Sequence, residues 1–201
     1  MAGFFLAYFL FFLLYMVVLL YGQQVMNGVL EEKSSRIVEV ILATVRPIEL
    51  LLGKLLGIGL AGLTQLVVWL TTMVALSAPA VVGALALMPA DTELPQVSLA
   101  LVVHFLILFL LGFSLFATLY AAIGAATNNV QEAQQFAGFL VVFLVAPVFF
   151  MIPIINDPDS TMAVVLSMIP PLTPTLMMLR IAVKMPPLWQ ILAAYALTAG
   201  F

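Results

Sequence analysis

The sequence predicts an all-α fold: a polytopic membrane bundle of about five transmembrane helices, with a cytoplasmic amphipathic helix and an extracytoplasmic re-entrant hairpin. Three observations carry this. Of 201 residues 65% are hydrophobic and only 7% are charged, against about 25% charged in a soluble domain. The apolar residues fall in runs of about 20 or more, the length a helix needs to cross hydrocarbon. The six Lys and Arg and nine Asp and Glu cluster between those runs, as in loops at membrane surfaces. The net charge of -3 says little about partners, and no nucleic-acid partner is expected. The absence of cysteine excludes a disulfide framework, a thiolate zinc site and a cysteine nucleophile.

The first span is expected over residues 4–25, with Tyr8, Tyr15 and Tyr21 along it, ending where Gln23, Gln24 and Asn27 begin. No basic residue precedes it and no small-residue cleavage site follows a short core, so it reads as a span and not as a signal peptide. Residues 28–52 change to a charged amphipathic helix. Residues 53–76 form the second span, rich in glycine near its start. Residues 89–96 (PADTELPQ) are a polar loop bounded by prolines. The third span covers 99–126, and TNNVQEAQQ is the next polar connection. The fourth covers 136–155 and contains Pro147 and Pro153, which membrane helices tolerate because neighbours satisfy the freed carbonyls. NDPDS, residues 156–160, is a turn. Residues 161–185 are apolar but broken by Pro170, Pro171 and Pro174 and closed by Arg180 and Lys184, which suits a re-entrant or interfacial hairpin. The last span occupies 187–201.

Lys33, Arg36, Arg46 and Lys54 all lie in the connection between the first two spans, so the positive-inside bias places that connection in the cytoplasm. The first span then starts outside, and the proline-broken hairpin lies outside as well. A chain that starts outside without a signal peptide is expected to follow an earlier membrane helix. It also stops inside an apolar stretch, so both ends read as truncated.

Within residues 30–46 (LEEKSSRIVEVILATVR), a rotation of about 100° per residue gathers Glu32, Ser35, Arg36, Glu39 and Arg46 on one face. Ile37, Val38, Ile41 and Val45 fall on the other. Glu32 with Arg36 and Arg36 with Glu39 have the spacing of weak helical ion pairs. Pro47 then breaks the helix. An amphipathic helix resting in headgroups is one reading. Docking to a protein surface is the other, because Glu31, Glu32, Glu39 and Glu49 balance the four cations, whereas a lipid-binding helix favours Lys and Arg. The residues leave both open.

The stretch EEKSSRIVEVILATVRPIELLLGKLLGIGLAGLTQ resembles the cytoplasmic helix and following span of type-2 ABC transporter permeases, with the closest similarity to sodium-extrusion and drug-export members. TNNVQEAQQFAG resembles a later cytoplasmic turn of that family, and PDSTMAVVLSMIPPLTPTLMMLRIAV its extracytoplasmic hairpin. The similarity covers nearly the whole chain, in order. It implies the C-terminal membrane half of a permease that exports a solute, whether sodium ion, drug or peptide, across the inner (plasma) membrane. It further implies that Glu31, Glu32, Lys33, Arg36, Glu39, Arg46 and Pro47 belong to a coupling helix seated on a separate ABC ATPase subunit, and that the permease pairs with a second permease subunit. ATP is bound by the partner, and the chain itself is no enzyme and binds no cofactor.

Other residues bear on the rival classes. There is no phosphate loop: Lys54 is followed by Leu55, and Ile48 stands where the first loop glycine belongs. Gly53, Gly57, Gly59 and Gly62 form a small-residue stripe that permits close helix approach, within the subunit by default or at a dimer seam. Arg180 with Lys184 suits headgroup contact or attraction of anionic solutes, the hairpin being marked by Pro170, Pro171, Pro174 and Arg180. His104 reads as a hydrogen-bonded neutral side chain more readily than as a functional intramembrane charge. The rival classes are an intramembrane hydrolase using Ser114 and an ATP-independent channel. Ser114 and His104 are ten residues apart on one helix, about 15 Å at 1.5 Å per residue, which excludes a dyad unless the helix breaks. No metal site is visible.

Overall fold

The computed structural model describes residues 2–34, 46–85 and 98–201, with side chains described for 6–34, 46, 48–69, 71–72 and 98–201. Among the described residues there are seven helices and no strand: α1 (Ala2–Ser34), α2 (Pro47–Leu85), α3 (Leu99–Ala126), α4 (Val130–Asn156), α5 (Thr161–Ser167), α6 (Thr173–Val183) and α7 (Leu188–Gly200). The first four are long and apolar enough to cross a bilayer. The all-α class and the polytopic bundle are therefore what the chain adopts. Of the five crossings expected, four have helices of spanning length. α7 has 13 residues, roughly 20 Å of helix against about 30 Å of hydrocarbon.

The helix boundaries depart from the hydropathy boundaries, and local chemistry explains why. α1 does not stop near residue 25: Gln23, Gln24, Asn27 and the residues after them contain no proline, and the helix runs to Ser34. Residues 28–34 are thus continuous with the first span, while the rest of the expected amphipathic stretch up to residue 45 lies outside the described residues. Pro47 opens α2, a position where its missing N–H costs nothing. The Arg46 N–H donates to Glu49 Oε2 at 3.2 Å, closing the start of that helix as in a capping box. α4 begins at Val130, ahead of residue 136, because Asn129 Oδ1 accepts the Glu132 N–H at 2.8 Å and Glu132 Oε2 accepts the Asn128 N–H at 3.1 Å.

The centre of the bundle is α1 against α3, where Leu14, Val17, Val18 and Met26 pack on Phe109, Phe113, Phe116 and Tyr120. In lipid such association rests on close packing more than on water exclusion. The third central element is α6. Every residue from Thr173 to Ile181 is buried, and the helix lies against α1, α3 and α4. The second arm of the hairpin is therefore seated within the bundle as a plug, in keeping with a re-entrant segment, while its first arm, α5, leaves Met162 and Val165 exposed. In α6, Leu176, Met177, Met178 and Leu179 cover all sides of the helix, and a helix apolar all round is buried. Room for it comes from Gly112 of α3, where a Cβ would lie 2.7 Å from Pro174 Cβ. A second cluster, including Ala7, Phe11, Ile154, Ala163 and Leu176, fixes the hairpin to the first half of α1 and the last turns of α4.

Candidate functional site

The end of the bundle opposite the hairpin is built from the close of α1. Lys33 Nζ donates to the carbonyls of Ala125 and Thr127, both at 2.9 Å. These lie at the C-terminus of α3, where carbonyls lack helical partners and the helix dipole favours a cation. The backbones also approach closely here: a Cβ on Gly124 would sit 2.8 Å from the Met26 carbonyl. One residue earlier, Glu32 pairs with Lys54 of α2 at 2.7 Å, and the Lys54 side chain lies across Gly28. The last turn of α1 is thereby joined to both α2 and α3.

Of the residues assigned to the coupling segment, Glu31, Glu32 and Lys33 close α1, while Arg46 and Pro47 open α2. Arg36 and Glu39 fall outside the described residues. Lys33 and Glu32 make contacts within the subunit, and the Glu32–Lys54 pair is one that helical spacing does not suggest. A cleft of about 190 Å³ near this end, between α1 and α4, is lined by the amides Gln23, Asn27 and Gln134 beside Gly138.

The second polar centre lies at the hairpin end. Arg180 is 1% exposed. Its Nε donates to the Pro158 carbonyl, Nη1 to Ser167 Oγ and Nη2 to Gln190 Oε1, each at 2.8 Å. This corrects the expectation that Arg180 meets headgroups or anionic solutes at the surface: the fork of a guanidinium fits three internal acceptors that lie on three different segments. Lys184 does face outward, and its ion pair is with Asp159. That hydrogen bond, and then the Asp159 charge, hold the Lys184 pKa above its ordinary value. Pro170 and Pro171 lie in the turn between α5 and α6, and Pro174 sits in the first turn of α6.

The glycine stripe divides. Gly59 faces the Phe113 ring and Gly62 faces Phe109 and Tyr21, with Cβ approaches of 2.9 and 3.2 Å, whereas Gly53 and Gly57 have nothing within 4 Å. His104 Nδ1 lies 2.7 Å from the Tyr195 hydroxyl of α7. Ser114 donates to the Leu110 carbonyl at 2.7 Å on an unbroken α3, so no Ser114–His104 dyad forms. No group of three His, Cys, Asp or Glu that could hold a metal occurs among the described residues.

Sequence reasoning missed Ser167, Gln190 and Tyr195 as partners. Gln190 carried a signal, a lone amide in an apolar terminal helix. Ser167 and Tyr195 carried none, since only the fold brings them to their partners.

The family model for the ABC-2 family transporter protein matches residues 2–201. The chain is 32% identical over 201 residues to the uncharacterized protein YhaP of Bacillus subtilis (strain 168), covering 96% of this chain and 46% of that one. It is 30% identical over 186 residues to the uncharacterized protein MJ1024 of Methanocaldococcus jannaschii, covering 92% of this chain and 43% of that one. It thus spans about half the length of these curated relatives. No solved structure matches it.

Proposed function

The chain belongs to the ABC-2 family of transporter proteins, and from that premise we propose that it is the membrane half of an exporter permease driven by a separate ABC ATPase. The ATPase docks on the cytoplasmic segment 31–46, between two bilayer-long helices. Glu31, Arg36, Glu39 and Arg46 meet the ATPase surface. Glu32 and Lys33 hold the segment's root to the bundle.

The observation that carries this reading is the double tie at that root. A push on a connection reaches the spans only if its ends are stiff, and here α1 is bound to α3 through Lys33 and to α2 through Glu32. The solute moves along the face where a second permease subunit packs. Gly53 and Gly57, open and flanked by exposed Leu52 and Leu56, receive that second subunit, because small residues let membrane helices approach. In this reading the membrane is the plasma membrane, with the Lys33 end inside and the hairpin outside, an orientation that the clustering of basic residues between the first two spans supports.

The test is capture of a nucleotide-binding subunit by the permease. Arg36→Glu with Glu39→Arg abolishes capture while the permease stays folded in the membrane. Undiminished capture by that variant refutes the docking site.

A further inference from the structure

We propose that Arg180 is the releasable latch of the extracytoplasmic plug, a positioning residue that closes the outer end of the permease and lets go during transport. One guanidinium holds four segments. It belongs to α6, and it grips the α4–α5 turn through the Pro158 carbonyl, the last residue of α5 through Ser167, and the first turn of α7 through Gln190. With all three contacts made, α5, α6 and the start of α7 form one body seated against α1 and α4.

The chemistry of the acceptors makes the latch reversible. All three are neutral oxygens, and among the described residues no ion pair includes Arg180, the carboxylate on the same turn, Asp159, being held by Lys184. Asp159 acts on the guanidinium only through its charge, with no contact between them to break. What Arg180 gives up on opening is therefore three hydrogen bonds to neutral acceptors, which water replaces as the guanidinium is rehydrated. The arrangement is a two-state element with a small gap, closed and dry or open and wet.

This rests on the exporter reading for the cause of opening, and the experiment separates the two. The chain has no cysteine, so Ala163→Cys places a single reporter in it at a fully buried position of α5, one turn before Ser167. The whole permease with its ATPase partner is placed in right-side-out vesicles loaded with or without ATP, and labelling by an impermeant maleimide from outside is timed. In the parent, labelling is slow and ATP speeds it. Arg180→Gln labels at least about tenfold faster without ATP, the change that 1.4 kcal/mol of lost closure produces. Gln190→Glu gives the guanidinium a carboxylate, and labels slowly with or without ATP although its thermal midpoint rises. A purely structural role predicts instead that Gln190→Glu, more stable than the parent, still opens with ATP as the parent does.

Arg180→Gln that is folded yet labels at the parent rate overturns the latch, as does Gln190→Glu that opens with ATP like the parent. Should Arg180→Gln fail to fold, Gln190→Glu decides alone. Fast labelling of Arg180→Gln, with ATP changing nothing in the parent, upholds the latch and sinks the ATP-driven reading.

Discussion

Replacing Lys33 by Met separates two roles that its position confounds. The substitution keeps the apolar stem and removes the ammonium, leaving the Ala125 and Thr127 carbonyls without their 2.9 Å donors. A hydrogen bond from a charged donor is worth about 1.5–3 kcal/mol when buried, and a cation at a helix C-terminus adds about 0.3–1 kcal/mol. Lys33 is itself exposed, so solvent screens both contributions, and about 1–2 kcal/mol in total is the reasonable loss. For a domain of this size that lowers the thermal midpoint by roughly 2–8 °C. The assay is thermal unfolding of the purified permease, with ATPase capture measured on the same preparation below the transition. Lys33→Met loses stability and keeps capture; Arg36→Glu with Glu39→Arg does the reverse. An unchanged midpoint with lost capture would show that Lys33 faces the ATPase and that the clamp on α3 is incidental.

Gly112→Ala forces a Cβ against Pro174 and costs about 1–3 kcal/mol of stability, whereas Gly57→Ala, with open space around it, leaves the subunit as stable or up to about 1 kcal/mol more so; equal effects would contradict the division of the stripe. His104→Ala and Tyr195→Phe each remove the same 2.7 Å hydrogen bond, so a double-mutant cycle returns a coupling of about 0.5–1.5 kcal/mol, and additivity would refute the contact. The raised Lys184 pKa, set first by its hydrogen bond to Asp159, makes the pair's contribution complete below the unfolded value near pH 10.4 and lost as pH climbs through the folded one. The midpoint difference between the parent and Asp159→Asn therefore stays constant from about pH 6 to 9 and shrinks only in stronger alkali; a difference that vanishes within the neutral range would be inconsistent with it.

How much of the fold was readable follows from where each signal resides. A span announces itself through its own composition, so four long helices and the all-α class were visible in hydropathy. The ends were not, because a polar residue does not stop a helix unless something breaks it: α1 runs on through Gln23 and Asn27 to Ser34, and α4 starts early on the Asn129 cap. The re-entrant hairpin was legible from its prolines, but the setting of its arginine was not, for a related reason. An arginine closing 161–185 looks like a surface charge, yet its partners come from residues 158, 167 and 190. Nothing within α6 itself reveals that those acceptors exist. Charge spacing likewise allows Glu32 to meet Arg36 on its own helix and gives no hint of Lys54 across the gap.

The contacts that sequence could not supply are also those that join the two ends of the molecule. α1 has 33 residues, about 50 Å at 1.5 Å per residue. Its last turn is clamped to α3 by Lys33, and its first half packs on the hairpin that Arg180 latches. A force arriving on the segment after Ser34 thus meets a stiff helix whose far end bears on the latch. The stabilities of Lys33→Met and Gln190→Glu should add, because the sites are far apart and share no partner. Their effects on opening should not. Lys33→Met weakens the ATP-dependent labelling of the Ala163→Cys reporter in the parent background, and in Gln190→Glu there is no ATP response left for it to weaken. If Lys33→Met leaves the parent's ATP response intact, α1 is not the element that carries the push, and the load must reach the hairpin through α2 or α4.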